Sequence, residues 1–380
     1  MWDEVMTIQP TPAKKETLEI LIVGDCMLGR GLDQALRRYP PEFPWGDTLP
    51  LFHRADARIC NLECVLSDRG EPWAEYEKAF HFRSAAKNVA ALTAAGINMV
   101  SIANNHVLDY GYDALIEMLE VLNHARIAHS GAGANWKQAS TIASHQVCGW
   151  RLGILAFTDN EPPWEATSQR PGTFYVPVTL QDPRAQDLIR IVQERNGQDL
   201  LIVSAHWGSN WGYTPPEEHV QLAHALIDAG ADIIFGHSCH VFQGVEFYKN
   251  RPILYSTGNF VDDYAVDPNE RNDQSFIFLV ELNVEGSVRL RLHPTMIDFC
   301  QARLAREAEA QSIAAKMQTL CAPFGTLTCW DQEQQFLEVT AGARDVESLR
   351  VGAGKMEARA CSNPRKISFR FWLGEFYRGA

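Results

Sequence analysis

Five short apolar runs in this chain stop in the same way. Residues 18–23 run into Gly24-Asp25, residues 57–62 into Glu63, and residues 97–103 into Asn104-Asn105-His106. Residues 200–205 run into His206-Trp207-Gly208, and residues 232–235 into Gly236-His237-Ser238-Cys239-His240. Runs this short and rich in Val, Ile and Leu read as buried strands, with the last one stopping at Gly236. Helical segments separate them, which confines the chain to the α/β class, where polar groups collect beyond the carboxyl ends of strands. Each ending has an ordinary reading by itself. Asp25 can be a helix N-cap, Glu63 a solvated charge, Asn105 a turn residue, and His206 one half of a packed pair with Trp207. Five such endings on five strands are better explained as one site. Carboxylates, an amide oxygen and imidazoles together suit a borderline divalent ion such as Mn, Fe or Zn.

The remaining pattern fills in the architecture. Helices are expected over 30–38, 85–95, 111–124, 183–195, 217–229 and 302–321. Paired strands are expected at 140–147 with 151–157, at 244–248 with 252–256, and at 276–283 with 287–294 around Glu285-Gly286. Strands alternating with helices, then antiparallel strands, imply a mixed α/β sandwich. Gly24-Asp25-Cys26-Met27-Leu28-Gly29 is not the GxGxxG turn of a dinucleotide fold. Residues 1–17 read as a flexible leader broken by Pro10 and Pro12, and residues 18–300 as the principal domain. Residues 301–380 read as a C-terminal helix and appendage. The pattern weakens after Pro323, and 367–373 is the one strand candidate beyond residue 331.

The net charge of −13 argues against nucleic acid or an anionic membrane as a general partner. An anionic substrate would need a metal or a local arginine to draw it in. Nine irregularly spaced cysteines suit reduced thiols in a cytoplasm. No signal-peptide core or membrane-length apolar run is present, so a cytoplasmic protein without a membrane anchor is expected.

Several multi-residue motifs carry a family likeness. Gly24-Asp25-Cys26-Met27-Leu28-Gly29-Arg30, Asn61-Leu62-Glu63, and Asn104-Asn105-His106 followed by Asp109-Tyr110-Gly111 are three of them. His206-Trp207-Gly208, Gly236-His237-Ser238 with His240-Val241 and Gln243-Gly244, and Tyr255-Ser256 with Gly258-Asn259-Phe260 follow in order. Over residues 18–295 the chain resembles the CapA family of poly-γ-glutamate capsule-synthesis proteins, a branch of the calcineurin-like metallophosphoesterases. The resemblance implies a four-layer α/β/β/α sandwich with two divalent metals between the sheets. It implies Asp25, Glu63, Asn105, His206, His237 and His240 as ligands, Glu63 bridging. It implies His106 as general acid or base, oriented by Asp109. Arg30 is a candidate anion contact, and Trp207 and Asn210 are further candidate substrate contacts.

Three positions depart from the family pattern. Met27 stands where the wider superfamily has a histidine, so one metal is expected to be weak or missing. Ser209-Asn210 follows His-Trp-Gly where a carboxylate is common, and an amide cannot act as a base. Cys239 replaces a usual proline, either as a small buried residue or as a proton carrier. The activity implied is a metal-dependent hydrolase that attacks a phosphoester, or a peptide or γ-glutamyl chain, through a metal-activated water. One alternative is a metal-assisted peptide Cα epimerase of the lasso-peptide maturation type, with His106 and Cys239 moving protons. Another is a non-enzymatic component of capsule biosynthesis. Trp73, Tyr76, Phe80, Trp164, Trp207 and Trp211 are either walls of an open cleft for a chain-like substrate or core packing.

Overall fold

The period-two alternation of the first apolar run decides how the layers stack. The structure, a computed structural model, describes residues 13–195 and 197–342. Its strands, shorter pairs aside, begin with β1 (Thr17–Cys26), β2 (Ala57–Leu62), β3 (Met99–Ser101) and β4 (Ala128–Ser130). Next come β5 (Ala143–Val147), β6 (Trp150–Thr158), β7 (Leu200–His206), β8 (Ile233–His237), β9 (Val245–Tyr248) and β10 (Arg251–Leu254). The last are β11 (Asn259–Val261), β12 (Gln274–Asn283), β13 (Val288–Ile297), β14 (Ala302–Leu304), β15 (Leu327–Asp331) and β16 (Phe336–Thr340). The longer helices are α1 (Arg30–Ala35), α2 (Leu49–Arg54), α3 (Val89–Ala94), α4 (Gly111–His124), α5 (Pro183–Glu194), α6 (Glu217–Ala229) and α7 (Glu307–Cys321). The chain is thus a mixed α/β protein built on two main sheets.

A ten-stranded sheet runs β15-β16-β13-β12-β1-β2-β3-β4, with β11 added to β1 and β14 to β13. Its β1 to β4 segment is parallel, and β12 lies antiparallel on the other side of β1. A six-stranded sheet runs β9-β10-β8-β7-β6-β5, parallel through its centre. Ile20 and Ile22 of β1 pack in one apolar cluster with Ile154, Ile202, Ile233 and Phe235 of the second sheet. Leu21 and Val23 turn the other way, to Phe52 of α2, Leu92 of α3 and Leu115 and Met118 of α4. On the far face of the second sheet, Leu201, Val203 and Ile234 meet Leu188 of α5 and Leu222 and Leu226 of α6. Each such fully buried aliphatic side chain contributes about 1.5–3 kcal/mol relative to an exposed one.

Several boundaries differ from those read in the sequence. The last apolar run does not stop at Gly236; β8 continues to His237, whose register partner is His206. Gly236 is there for space, since a Cβ would lie 2.1 Å from the Tyr255 carbonyl oxygen. Residues 302–304 are not helical. They pair with Thr295–Ile297 as β14, and α7 starts at Glu307. The Glu309 carboxylate holds the Arg303 guanidinium at 2.7 and 2.9 Å, and an open sheet edge competes with helix at Ala302-Arg303-Leu304. Past Pro323 the weak pattern conceals a hairpin, β15 and β16, that extends the large sheet through β13. Leu337 and Val339 are buried between the sheets, so this part is continuous with the main body. The candidate strand 367–373 and most of the leader fall outside the described residues. Among the described residues no helix is long and apolar enough to cross a membrane.

Two outcomes follow from this packing. A Cβ on Gly24 would sit 1.9 Å from the Gly258 carbonyl oxygen, where β1 and β11 touch. Gly24→Ala is expected to lose about 1–3 kcal/mol, read as a lower urea midpoint. His293 packs on Phe336 with its Nε2 buried and unpaired, and burial pushes its pKa down to about 4. The unfolded imidazole titrates near about 6.5, so the unfolded chain gains a proton that the folded chain refuses between those values. That contribution is fully present above the higher value and is lost as pH falls toward the lower one. His293→Phe should therefore gain stability over the parent as pH drops from 7.5 to 4.5. A difference that stays flat with pH would contradict the assignment.

Candidate metal centre

Strand register delivers most of the polar residues of this centre. His206 and His237 end neighbouring parallel strands in register, so both rings leave the sheet side by side. Their Nδ1 atoms are 2.8 Å apart and their ring centroids 5.0 Å apart. Asp25 arrives from the end of β1 in the opposite sheet, its Oδ1 3.7 Å from His237 Nδ1. Glu63 follows directly on β2, and Asn104, Asn105 and His106 follow β3. After β8 the backbone turns sharply through Ser238, at φ +96, which brings His240 back toward the same point. A left-handed non-glycine residue costs of order 1–3 kcal/mol, which the surrounding contacts must offset.

Two groups of potential ligand atoms result. In one, Asp25, His206 and His237 offer atoms within 4.8 Å of one another; in the other, Asp25, Glu63 and His240 do. Asp25 belongs to both and Glu63 to one. Asp25 is thus the residue common to the two groups, and Glu63, expected to bridge, stands beside it in the second. Asn105 joins the first group through its Oδ1, 3.0 Å from His206 Nε2.

The chemistry of this donor set fits a divalent cation. Asp25 and Glu63 are each 1% exposed, and Asp25 Oδ2 has no hydrogen-bond partner. Burial pushes the Asp25 carboxyl up to about 7 and Glu63 well above its ordinary value. The same desolvation pushes His237 down to about 3 and His206 well below its usual range. Buried carboxylates without a counter-charge are costly, and neutral imidazoles leave lone pairs available; a cation answers both. Outer contacts orient the donors. Asn61 Nδ2 donates to Asp25 Oδ1 at 2.7 Å, and Asn104 Nδ2 donates to Asn61 Oδ1 at 3.1 Å. His240 Nδ1 donates to Asn259 Oδ1 at 2.9 Å, which leaves Nε2 for the centre.

Above the centre lies a cleft of about 560 Å³ whose wall includes His106, Asn105, His240, Arg30, Lys78 and Asn210. His106 stacks on Phe82 with centroids 4.0 Å apart and is tied through Nδ1 to Asp109 Oδ2 at 2.6 Å. Lys78 Nζ lies 3.2 Å from the other Asp109 oxygen. Burial pushes the Asp109 carboxyl up to about 7 and the His106 imidazole well below its usual range.

Other expected contacts do not reach the cleft. Trp207 is 2% exposed, donates through Nε1 to the Tyr255 carbonyl and packs on Phe157 and His219, so it is core rather than a substrate contact. The Cys239 thiol is turned to the Gly212 carbonyl at 3.1 Å, and burial pushes its pKa up to about 11. It is a protonated core group, not a proton carrier at the cleft. Of the aromatic loop residues, Trp73 and Trp164 are buried core, whereas Tyr76, Phe80 and Trp211 line the opening. Met27 lies in the apolar cluster with its sulfur accepting the Gly29 N–H.

Sequence reasoning overlooked Asp262, Tyr264 and Lys78. Asp262 is 3% exposed, and burial pushes its carboxyl up to about 7. The Tyr264 hydroxyl is 3.4 Å from Glu63 Oε2. Both lie in the acidic stretch 261–273, whose composition suggests only a loop, and the preceding Gly258-Asn259-Phe260 motif is the signal that marks it.

Comparison with known proteins identifies a family. Residues 19–264 match the family described as bacterial capsule synthesis protein PGA_cap. A probable polyglutamine synthesis accessory protein of Mycobacterium tuberculosis is 30% identical over 354 residues, covering 82% of this chain and 93% of its own. Capsule biosynthesis protein CapA of Bacillus anthracis is 29% identical, covering 88% of this chain and 80% of its own. PGA biosynthesis protein CapA of Bacillus subtilis is 29% identical, covering 73% and 71%.

Asn61→Ala removes the amide that holds Asp25 without removing any ligand. It should weaken Mn or Zn binding by about 10–100-fold in a chelator competition, with the far-UV spectrum unchanged. Unaltered affinity would mean that Asp25 does not hold the ion.

Proposed function

The chain belongs to the family of bacterial capsule synthesis proteins, and from that premise we propose that it is a metal-dependent hydrolase of an anionic chain. The bond cleaved is a peptide or γ-glutamyl amide, or a phosphoester. The observation that carries the reading is the pair of ligand groups sharing Asp25, one oxygen of which is buried without a partner. Asp25, Glu63, Asn105, His206, His237 and His240 would hold two divalent ions of the Mn, Fe or Zn type. Ions there would supply Lewis acidity and lower the pKa of water. The three apolar clusters support the four-layer α/β/β/α arrangement in which such a centre lies at the strand ends.

The chain's own residues would do the rest. His106 has Nδ1 occupied by Asp109, so Nε2 is the nitrogen left to meet a substrate in the cleft. Its ring plane is set by Phe82 and Lys78 lies against Asp109, so Nε2 of the neutral ring would accept a proton in the cleft and return it to the leaving group. Arg30 stands at the cleft with its guanidinium 5.5 Å from the Phe82 ring centroid, suited to a negative group on the substrate. Cα epimerisation needs two proton carriers on opposite faces. The position of the Cys239 thiol favours hydrolysis over the version that uses this residue.

With Mn or Zn bound, the protein should cleave glutamyl oligomers or p-nitrophenyl phosphate. His106→Ala should lower kcat by about 10²–10⁴-fold while metal content stays at the parent level. Deuterium uptake at Cα in heavy water without cleavage would replace hydrolysis by epimerisation. Neither reaction on any of these substrates would leave an accessory role in capsule synthesis.

A further inference from the structure

Beside the cleft lies a second, polar cavity of about 420 Å³, and Arg30 lines both. Arg37, Arg83 and His81 share its wall with Ser67 and Tyr110. Three guanidinium groups facing one cavity stand out in a chain of net charge −13. Two carboxylates, Asp33 and Asp68, also line it, but both are engaged structurally. Asp33 accepts from the Ala85 N–H, Asn88 Nδ2 and Arg37, and Asp68 accepts from the Ala86 N–H. Arg83 has no carboxylate partner among the described residues. Its guanidinium lies 4.0 Å over the Tyr110 ring and donates only to the Arg69 and Gly70 carbonyls, at 3.4 and 3.3 Å. Its charge is thus held in place and left unneutralised, a preorganised donor for an oxyanion.

The backbone ties this wall to the cleft. Gly29 packs on Arg83, and a Cβ there would be 2.9 Å from the Arg83 carbonyl oxygen. The next residue, Arg30, is held at φ +52, an unfavourable conformation for an arginine, with its Nε 3.3 Å from Asp263. Arg30 and Arg83 are therefore fixed relative to each other across the divide.

We propose that the cavity walled by Arg30, Arg37, Arg83 and His81 is an anion subsite. It takes a carboxylate or phosphate of a chain ligand whose neighbouring unit occupies the cleft. The proposal extends the reading of the cleft as an active site, but its test needs no catalysis.

Titration calorimetry on the metal-free full chain, at low salt, reads the subsite directly. The probes are a pentaglutamate peptide, a pentaglutamine peptide and tripolyphosphate. Pentaglutamate is expected to bind, pentaglutamine not, and Arg83→Gln to weaken binding at least about tenfold, with added salt weakening it further. Arg37→Gln, on a side chain that is 66% exposed, provides a second variant with little risk to folding and should weaken binding in the same direction. Binding of tripolyphosphate alone, lost in both variants, would support the subsite with phosphate as its source. Equal binding of the glutamine peptide, affinities unmoved in both variants, or no binding of any anion would overturn it. Loss of hydrolysis with anion binding intact would instead count against the catalytic reading of the cleft.

Discussion

Asp25 enters the seam between the two sheets with one oxygen held by Asn61 and the other without a hydrogen-bond partner. A carboxylate taken out of water is costly by several kcal/mol unless opposite charge compensates it. Its neighbours are a second buried carboxylate, Glu63, and imidazoles that burial keeps neutral. The chain's own side chains place no cation in contact with Asp25 among the described residues. A cluster of this kind works against folding, and the three large apolar clusters around it offset the cost. A divalent ion would turn the same cluster from a burden into a stabilising link between sheets.

The surrounding geometry keeps these groups from relaxing apart. His206 and His237 cannot separate without breaking the register of β7 and β8. Asp25 cannot withdraw while Gly24 lies against the Gly258 carbonyl and Asn61 grips its carboxylate. Asn104 links that grip to the loop of His106, since its side chain donates to Asn61 and accepts the His106 N–H. Asp25 and His106 are therefore joined in one chain of hydrogen bonds through Asn61 and Asn104. Lys78 joins it through Asp109, from the loop between β2 and β3.

The departures from the family pattern also find physical places. Met27 is absorbed into the core, which its flexible thioether suits. Asp262 and Tyr264 bring a carboxylate and a phenol near Glu63 from a different segment. Cys239 fits as a small apolar residue beneath the turn from His237 to His240. The net charge of −13 would repel an anion, which is why local guanidinium groups such as those of the arginine-lined cavity would be needed to hold one.

Much of this was readable in residue order. The near-continuous apolar runs at 18–23 and 200–205 marked buried strands, and the polar residue after each run marked the edge where side chains gather. Helices 111–124 and 217–229 match their expected bounds because their apolar period is clear, and Gly230 marks the end of the second. The fate of 302–304 and of the hairpin past Pro323 was not readable, since short edge strands are specified by the neighbour they pair with. Nor could residue order tell Trp207 and Cys239, which face the core, from Asn210 and His106, which face the cleft. The sequence by itself determined which side chains end the strands, because periodicity and chain breaks are local. Only the tertiary structure decided that Asp25 rather than Glu63 belongs to both ligand groups, and that Arg30 and Arg83 share a wall. Those facts depend on distances between segments far apart in the chain, set by sheet register and close backbone contact.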